Sequence, residues 1–311
     1  MLIIITGGLG FLGSSLANKL CKLGYKIIIL DKKKNFSNKF PKNIKIYSGC
    51  DITSIDSLSK IKINKPNIIL HCAGQASAAK SFEIPRKDLD INIIGTFNII
   101  SWAKKNFTKK IIYASTFNVY CEDKKKFILK ENFLTEPKSL YAISKLAAEN
   151  YIKVYCNFLG INWNVLRMFN IYGPGQDPNN KYLGMVSIFL NMAKKNGSIE
   201  VKGSLERFRD FIYIEDVLQA WKLVIKDNKN FNKVYNVGSG IKTTIKDLIK
   251  KISILLNKKL TVCEEKGTPG DFMGCFADIN KINKDLGFLP KYNLTDGLKK
   301  FNSWLEIYEK N

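Results

Sequence analysis

The sequence predicts a doubly wound α/β fold, a parallel sheet with helices on both faces, and three observations carry that reading. In the first half, short runs that are apolar throughout alternate with helical periods, the pattern of strands buried on both faces. A glycine-rich turn, TGGLGFLG, directly follows the first such run and opens the first helical period. After Arg167 the rhythm loosens, which predicts a smaller α/β carboxy-terminal lobe on the carboxyl edge of the sheet.

The elements follow in chain order. LIIIT (2–6) reads as the first strand, then a helix over 11–23, KIIIL (26–30), IKIYS (44–48), a helix near 54–63 and NIILH (67–71). A long helix near 86–105, the strand KIIYA (110–114) and a helix over 140–159 complete the half. Gly24 and Gly160 sit where a helix should stop, each just before a new strand run, YKIIIL and INWNVLR. YGPGQDPNN is rich in turn residues and reads as an irregular loop. Beyond it come SIEVKG, RDFIYI, a helix near 215–227, KVYNVG, a helix near 244–257, LTVCE and two final helices. The expected division is a dinucleotide-binding domain over 1–168 with a return near 211–238, and a second lobe over 169–210 and 239–311.

A chain of 311 residues with 45% apolar content can bury a substantial core. No run approaches the roughly 18 to 20 apolar residues of a membrane span, and MLIIITGG lacks the basic start of a signal peptide, so a cytoplasmic protein is expected. Seven cysteines with no CxxC and no Cys/His cluster read as free thiols, with no disulfide framework and no metal site. The sequons at Asn35, Asn106, Asn196 and Asn293 then carry no meaning. The net charge of +23 comes from lysines scattered in short runs, without an aromatic-interleaved basic stripe, which speaks against nucleic acid. The positive potential would instead attract a small anionic substrate.

Gly7, Gly10 and Gly13 stand at GxxGxxG spacing, with Phe11 and Leu12 between them at the helix start. Glycine there permits a tight turn and a close approach of backbone to a pyrophosphate, whose charge the helix amino terminus stabilises. Asp31 ends the second strand, where a carboxylate accepts hydrogen bonds from ribose hydroxyls; this favours NAD over NADP. The cations at Lys32, Lys33 and Lys34 could also accommodate a 2′-phosphate. Further on, Ser115 and Thr116 end a strand, and Tyr141 and Lys145 are four residues apart on one predicted helix face. A free tyrosine titrates near ~10, and a neighbouring ammonium and a cationic nicotinamide are expected to lower that value.

With these residues in place, the chain resembles the extended short-chain dehydrogenase/reductase superfamily, and within it the NAD-dependent nucleotide-sugar epimerases and dehydratases, the UDP-glucose 4-epimerases among them. The likeness spans nearly the whole chain and rests on TGGLGFLG, GCDIT, HCAGQ, INIIGT, ASTFNVY, YAISK, LRMFNIYGPG, RDFIYIEDV and GTPGD…AD, in that order. It implies a Rossmann-type cofactor domain and a nucleotide-sugar-binding second lobe. By the resemblance, Asp51 and Ile52 lie by the adenine, Ala73 and Gly74 against the cofactor's diphosphate and ribose with Gln75 beside them, and Asn92 near the active-site network. Tyr141 is implied as the base, Lys145 as its partner touching the nicotinamide ribose, Thr116 as the contact to the reacting sugar hydroxyl, and Ser115 as a substrate contact. Asn170 and Arg209 match positions that hold the nucleotide diphosphate, and Asp271 one near the nucleotide ribose. Many epimerases carry an arginine where this chain has Thr268; Arg207 is the candidate substitute.

All members of this likeness begin by oxidising a sugar hydroxyl to a 4-keto sugar. The 4,6-dehydratases then use an Asp-Glu pair after the threonine; Phe117 and Asn118 stand there, and neither can carry the proton. Decarboxylases usually have Glu in place of Asn118, which weakens that reading too. The favoured expectation is therefore a 4-epimerase that passes through the 4-keto sugar and leaves NAD unchanged. A 4-dehydrogenase or ketoreductase stays open, as does a C2-epimerase, which HCAGQAS also resembles, and more remotely a non-catalytic NAD(P)-sensing protein. His71, the single histidine, is read as structural, and Cys121 as a packing residue. The family's long helices pair in dimers, so the resemblance implies a homodimer.

Overall fold

Ile3, Ile4 and Ile5 are all fully buried on the first strand, because helices cover both faces of the sheet to which it belongs. The computed structural model describes residues 1–36, 40–63, 65–123, 125–180, 182, 184–267 and 273–308. The strands are β1 (Leu2–Thr6), β2 (Lys26–Asp31), β3 (Lys45–Ser48), β4 (Ile68–His71), β5 (Lys110–Thr116), β6 (Ile128–Leu129), β7 (Asn162–Met168), β8 (Asn170–Tyr172), β9 (Ser198–Lys202), β10 (Phe208–Arg209), β11 (Phe211–Tyr213), β12 (Lys233–Val237), β13 (Thr243–Thr244), β14 (Thr261–Glu265) and β15 (Phe276–Ala277). Seven of them form one sheet in the order β12-β7-β5-β4-β1-β2-β3, every pair parallel. The rest pair in two-stranded ladders, β6 with β15, β8 with β11, β9 with β14 and β10 with β13.

The helices are α1 (Phe11–Lys22), α2 (Ile55–Ser59), α3 (Ala78–Glu83), α4 (Pro85–Leu89), α5 (Gly95–Lys105), α6 (Leu140–Leu159), α7 (Met185–Asn196), α8 (Ile214–Lys226), α9 (Ile245–Leu256), α10 (Asn280–Leu286) and α11 (Leu294–Tyr308). Alternation along each strand feeds two cores. Ile3, Ile5 and Ile112 pack on one face with α1 and α8 residues such as Leu16 and Trp221. Ile4, Ile111 and Tyr113 pack on the other with Ile99, Ala148 and Ile152 of α5 and α6. A large apolar side chain buried in this way contributes about 1.5–3 kcal/mol, so the sheet frame is the stable part of the molecule. The chain winds outward from β1 in one direction and from β4 in the other, which opens a crevice beyond their carboxyl ends.

Two expected helices differ. The 54–63 segment is helical only over α2; Ile61 and Ile63, two residues apart, are both buried, which an extended chain achieves and a helix does not. The 86–105 segment is not one α-helix: α4 gives way to a π turn over Asp90–Ile94 before α5 begins. Among the described residues, no helix is long and apolar enough to cross a membrane and no cluster of metal-ligand residues exists. The seven cysteines are free.

Candidate active site

The glycine turn lies at the head of the crevice. Gly7 adopts φ +66, and a Cβ there would meet Ala73 N at 2.6 Å, so only glycine lets the loops after β1 and β4 approach this closely. A Cβ on Gly13 would stand 2.3 Å from Gly7 O, which is why the turn can lie flat against α1. Gly10 caps α1 with no side-chain hydrogen bond, so the helix amino terminus at Phe11 and Leu12 has no side-chain acceptor of its own at the cap, the arrangement that suits an anion. These are the features a dinucleotide needs, and Gly7, Gly10, Asp31, Lys32, Asp51, Ile52, Ala73 and Gly74 line one cleft of ≈ 230 Å³. Lys33, one of the three cations noted in the sequence, also lines it, as do Leu30, Cys50, Cys72 and Ile91, for which the sequence offered no signal apart from their neighbours. Asp31 accepts from Leu9 N and Lys33 N, at 2.9 and 3.0 Å from its two oxygens. One oxygen of Asp51 accepts from Thr53 N and Thr53 Oγ1.

Tyr141 and Lys145 lie in the first turns of α6, which Ser139 caps by accepting from Ala142 N. They are not exposed helix neighbours: Tyr141 is 8% and Lys145 5% exposed. Lys145 Nζ stands 4.1 Å over the Tyr113 ring, a cation–π contact on β5. Burial pushes the Tyr141 phenol up to about 12, against a hydrogen bond with Thr116 that pulls it down. The expectation of a lowered phenol is reversed in the protein by itself, because desolvation outweighs the Thr116 hydrogen bond and the Asp88 charge adds to it. Burial also lowers Lys145 to about 8, with Cys72, Glu149 and Asp88 opposing.

Thr116 ends β5 and accepts from Asn118 N at 3.2 Å. Ser115, its neighbour, is engaged elsewhere: its hydroxyl donates to Glu149 Oε1 at 2.5 Å, and Glu149 also takes a two-pronged contact from Arg167. The structure therefore brings Thr116, Tyr141 and Lys145 together and gives Ser115 a packing partner, since successive strand residues face opposite ways. Asn92 donates to Ser144 Oγ at 2.9 Å and accepts from Gln75 N at 2.9 Å, beneath the same site.

His71 sits under the cleft, fully buried, with Nδ1 2.7 Å from Thr6 Oγ1 and Nε2 2.9 Å from Thr96 Oγ1. Thr96 donates its own proton to Asn92 O. Thr96 must then accept from Nε2–H, leaving Nδ1 to accept from Thr6. Burial and Lys145 push His71 down to about 3, so it is a neutral strut. Cys121 is more than packing, since its thiol donates to Glu136 Oε2 at 3.2 Å.

On β8 and β10, Asn170 Nδ2 donates to Asp210 O at 3.0 Å, and Arg209 follows Phe208 into a buried position with Nη1 on Phe208 O (2.7 Å) and Met273 O (3.3 Å). Burial lowers Arg209 to about 10, and Arg207 adds to that. Arg207 braces the turn after β9, donating to Ser204 O and Lys202 O. Asp271 and Thr268 lie outside the described residues. Two polar groups here escaped the sequence reading: Gln176 Oε1 and Ser187 Oγ are buried and without hydrogen-bond partners, near the uncapped amino terminus of α7. A Cβ on Gly184, the residue preceding α7, would collide with the Gln176 carboxamide.

The sequence matches the NAD dependent epimerase/dehydratase family over residues 3–238. It is 32% identical over 307 residues to a putative UDP-glucose 4-epimerase of Methanocaldococcus jannaschii, with 98% of each chain covered. The fold is similar to UDP-glucose 4-epimerase from Thermotoga maritima solved with UDP-glucose, at 31% identity and TM-score 0.94, covering 99% of this chain and 100% of that one. It is also similar to UDP-glucose 4-epimerase from Thermus thermophilus in complex with NAD, at 27% identity and TM-score 0.90, covering 98% and 99%.

Proposed function

The chain belongs to the NAD dependent epimerase/dehydratase family, and on that premise we propose that it is a nucleotide-sugar 4-epimerase working through a transient 4-keto sugar with Tyr141 as base. NAD is its cofactor, and when bound it accepts and returns a hydride and sets a positive charge beside Tyr141. Tyr141 takes the proton of the sugar 4-hydroxyl and gives it back; Thr116 holds that hydroxyl; Lys145 keeps a positive charge next to the phenolate and reaches the nicotinamide ribose. Gly7, Gly10, Phe11, Leu12 and Gly13 receive the pyrophosphate, Asp31 the adenosine ribose, and Asp51 and Ile52 the adenine.

The observation that carries the epimerase reading is at Phe117 and Asn118. Phe117 stacks on Phe169 with ring centroids 5.1 Å apart and 16° between planes, in an apolar cluster with Val119 and Tyr120. Neither the Phe117 ring nor the Asn118 amide can pass a proton to expel water from the keto sugar, and the Tyr120 hydroxyl is committed to Asn236 Oδ1 at 2.6 Å. What the side chains support is hydride transfer alone, out and back.

For the second lobe, 169–210 and 239–311, the proposal is a uridine diphosphate sugar, because three similar proteins were solved with UDP-glucose, UDP-N-acetylmuramic acid and UDP-glucuronic acid. Buried Arg209, Asn170 and the α7 amino terminus with its open Gln176 and Ser187 acceptors and donors supply what a diphosphate and its sugar hydroxyls need. A second copy of the chain is the proposed partner for the apolar stripe of α6, where Val154 and Phe158 are 71% and 82% exposed beside Phe97 of α5.

The test is incubation of the purified protein with UDP-glucose, UDP-galactose, UDP-N-acetylglucosamine and UDP-glucuronate, with reduced cofactor followed by absorbance and product by NMR. The expected result is interconversion of C4 epimers without stoichiometric reduced cofactor. Stoichiometric reduction would overturn the epimerase reading in favour of a dehydrogenase.

A further inference from the structure

Asp88 is 1% exposed on α4, one turn before Asn92 on the same helical face. Its Oδ1 accepts from Gln75 Nε2 at 2.7 Å and from Asn92 Nδ2 at 3.3 Å. Asn92 Nδ2 also donates to Ser144 Oγ at 2.9 Å, and Ser144 in turn donates to the Tyr141 carbonyl at 2.9 Å. A Cβ on Gly74 would lie 3.0 Å from Asn92 Oδ1 and 3.6 Å from Lys145 Nζ, so Asn92 and Lys145 share the space beneath that glycine. The π turn over Asp90–Ile94 immediately follows α4, an irregularity of the kind that re-aims side chains at functional sites.

The charges around Lys145 come from every element packed on it. On α6, Glu149 is bridged by Arg167 of β7 and by Lys153. On β4, His71 is neutral, and Cys72 just beyond it is pushed up to about 12 by burial, so its thiol keeps its proton. On β5, burial raises the Tyr113 phenol well above its usual value, and it too stays neutral. On α4, Arg86 is exposed and pairs with Asp90, while Lys87 is exposed. Asp88 is then, among the described residues, the carboxylate that faces the pair without a guanidinium or ammonium in contact, and its charge acts on both Lys145 and Tyr141.

We propose that Asp88 is a positioning residue for proton transfer: its carboxylate anchors the Gln75 and Asn92 carboxamides under the site and, through its charge, sets the protonation of the Tyr141–Lys145 pair. The inference rests on Tyr141 being the base. A negative charge at this place disfavours the phenolate and favours the ammonium, so removing it moves the titrations of both groups to lower pH. A purely structural residue would move neither.

The experiment uses the full chain saturated with NAD and no sugar, so its outcome is independent of the epimerase assay. Tyrosinate absorbance is titrated against pH, and subtracting the Tyr141→Phe variant isolates Tyr141. In Asp88→Asn the Tyr141 transition is expected about one pH unit or more below wild type, and Asp88→Glu is expected to restore it toward the wild-type position. A Tyr141 transition unmoved in Asp88→Asn overturns the proposal. So does failure of both variants to fold, which would make the carboxylate a support of α4 and not of the pair.

Discussion

Arg167 and Glu149 meet in a buried fork, Nη2 2.7 Å from Oε2 and Nε 3.0 Å from Oε1. The pair ties β7 to the middle of α6, and Ser115 of β5 closes it from a third side. Because Tyr141 and Lys145 ride on the preceding turns of α6, the fork fixes the height at which they stand beside Thr116. Arg167 also lies over the Tyr120 ring, with its guanidinium carbon 4.6 Å from the ring centroid.

Glu149→Ala should therefore destabilise the chain by about 3–5 kcal/mol, because it strands a buried guanidinium. Denaturant unfolding checks this, and a loss under about 1 kcal/mol would mean that the fork does not hold α6. Replacing both partners with apolar residues should cost less than removing either one alone.

Tyr141→Phe removes the proton acceptor while keeping the ring that packs there. Turnover should fall by about 10²–10⁴-fold, the usual worth of a positioned acid/base. Dinucleotide affinity, measured by calorimetry, should be unchanged, since the cleft lined by Gly7, Asp31, Asp51 and Ala73 does not include the phenol. Wild-type rates in this variant would overturn the site.

His71 gives a pH prediction with a definite sign. Folded, it is pushed down to about 3 from an ordinary value of 6.5. Between those values the unfolded chain takes up a proton that the folded chain refuses, so this contribution is complete above about pH 6.5 and is lost as pH falls toward 3. At ~1.4 kcal/mol per pH unit, wild type should lose about 2 kcal/mol more than His71→Gln between about pH 7 and about pH 5. Urea unfolding of both chains at the two pH values measures the difference; equal losses would show that His71 titrates freely. With one histidine in the sequence, no second imidazole confuses the comparison.

The sheet was legible because its strands are apolar on both faces, so LIIIT, KIIIL and KIIYA could be little else. The turn at Gly7 and the pair Tyr141/Lys145 were legible because spacing along one segment carries their geometry. The side chains that tune that pair were not. Asp88 and Gln75 are 13 positions apart, and nothing local distinguishes a buried Asp on α4 from a solvated one. The helical period of 86–105 likewise reports which residues are buried but not the π turn that separates Asp88 from α5. The partner of Ser115 was hidden for a similar reason: its neighbour Thr116 carries the motif, while pleating sends Ser115 to Glu149. Gln176 comes against Gly184, the residue before α7, only through the intervening loop, which no period describes.

The apolar stripe of α6 carries the last prediction. Ile143, Tyr151, Val154 and Phe158 are 49%, 46%, 71% and 82% exposed, and they recur at the spacing of one helix face. On α5, Phe97 stacks on Tyr155 at 5.3 Å and meets Tyr151 edge-on at 6.2 Å, which extends the stripe across two helices. A face of this kind on a globular chain marks an interface more often than bare surface. A second copy would bury it isologously, each α5/α6 pair against the other. Val154→Lys, which places a charge at the centre of the stripe, should convert a dimer to monomer in sedimentation velocity without changing NAD affinity, because the stripe and the cofactor cleft share no lining residue. A monomeric wild-type chain at micromolar concentration would show that the face is covered by something other than its own copy.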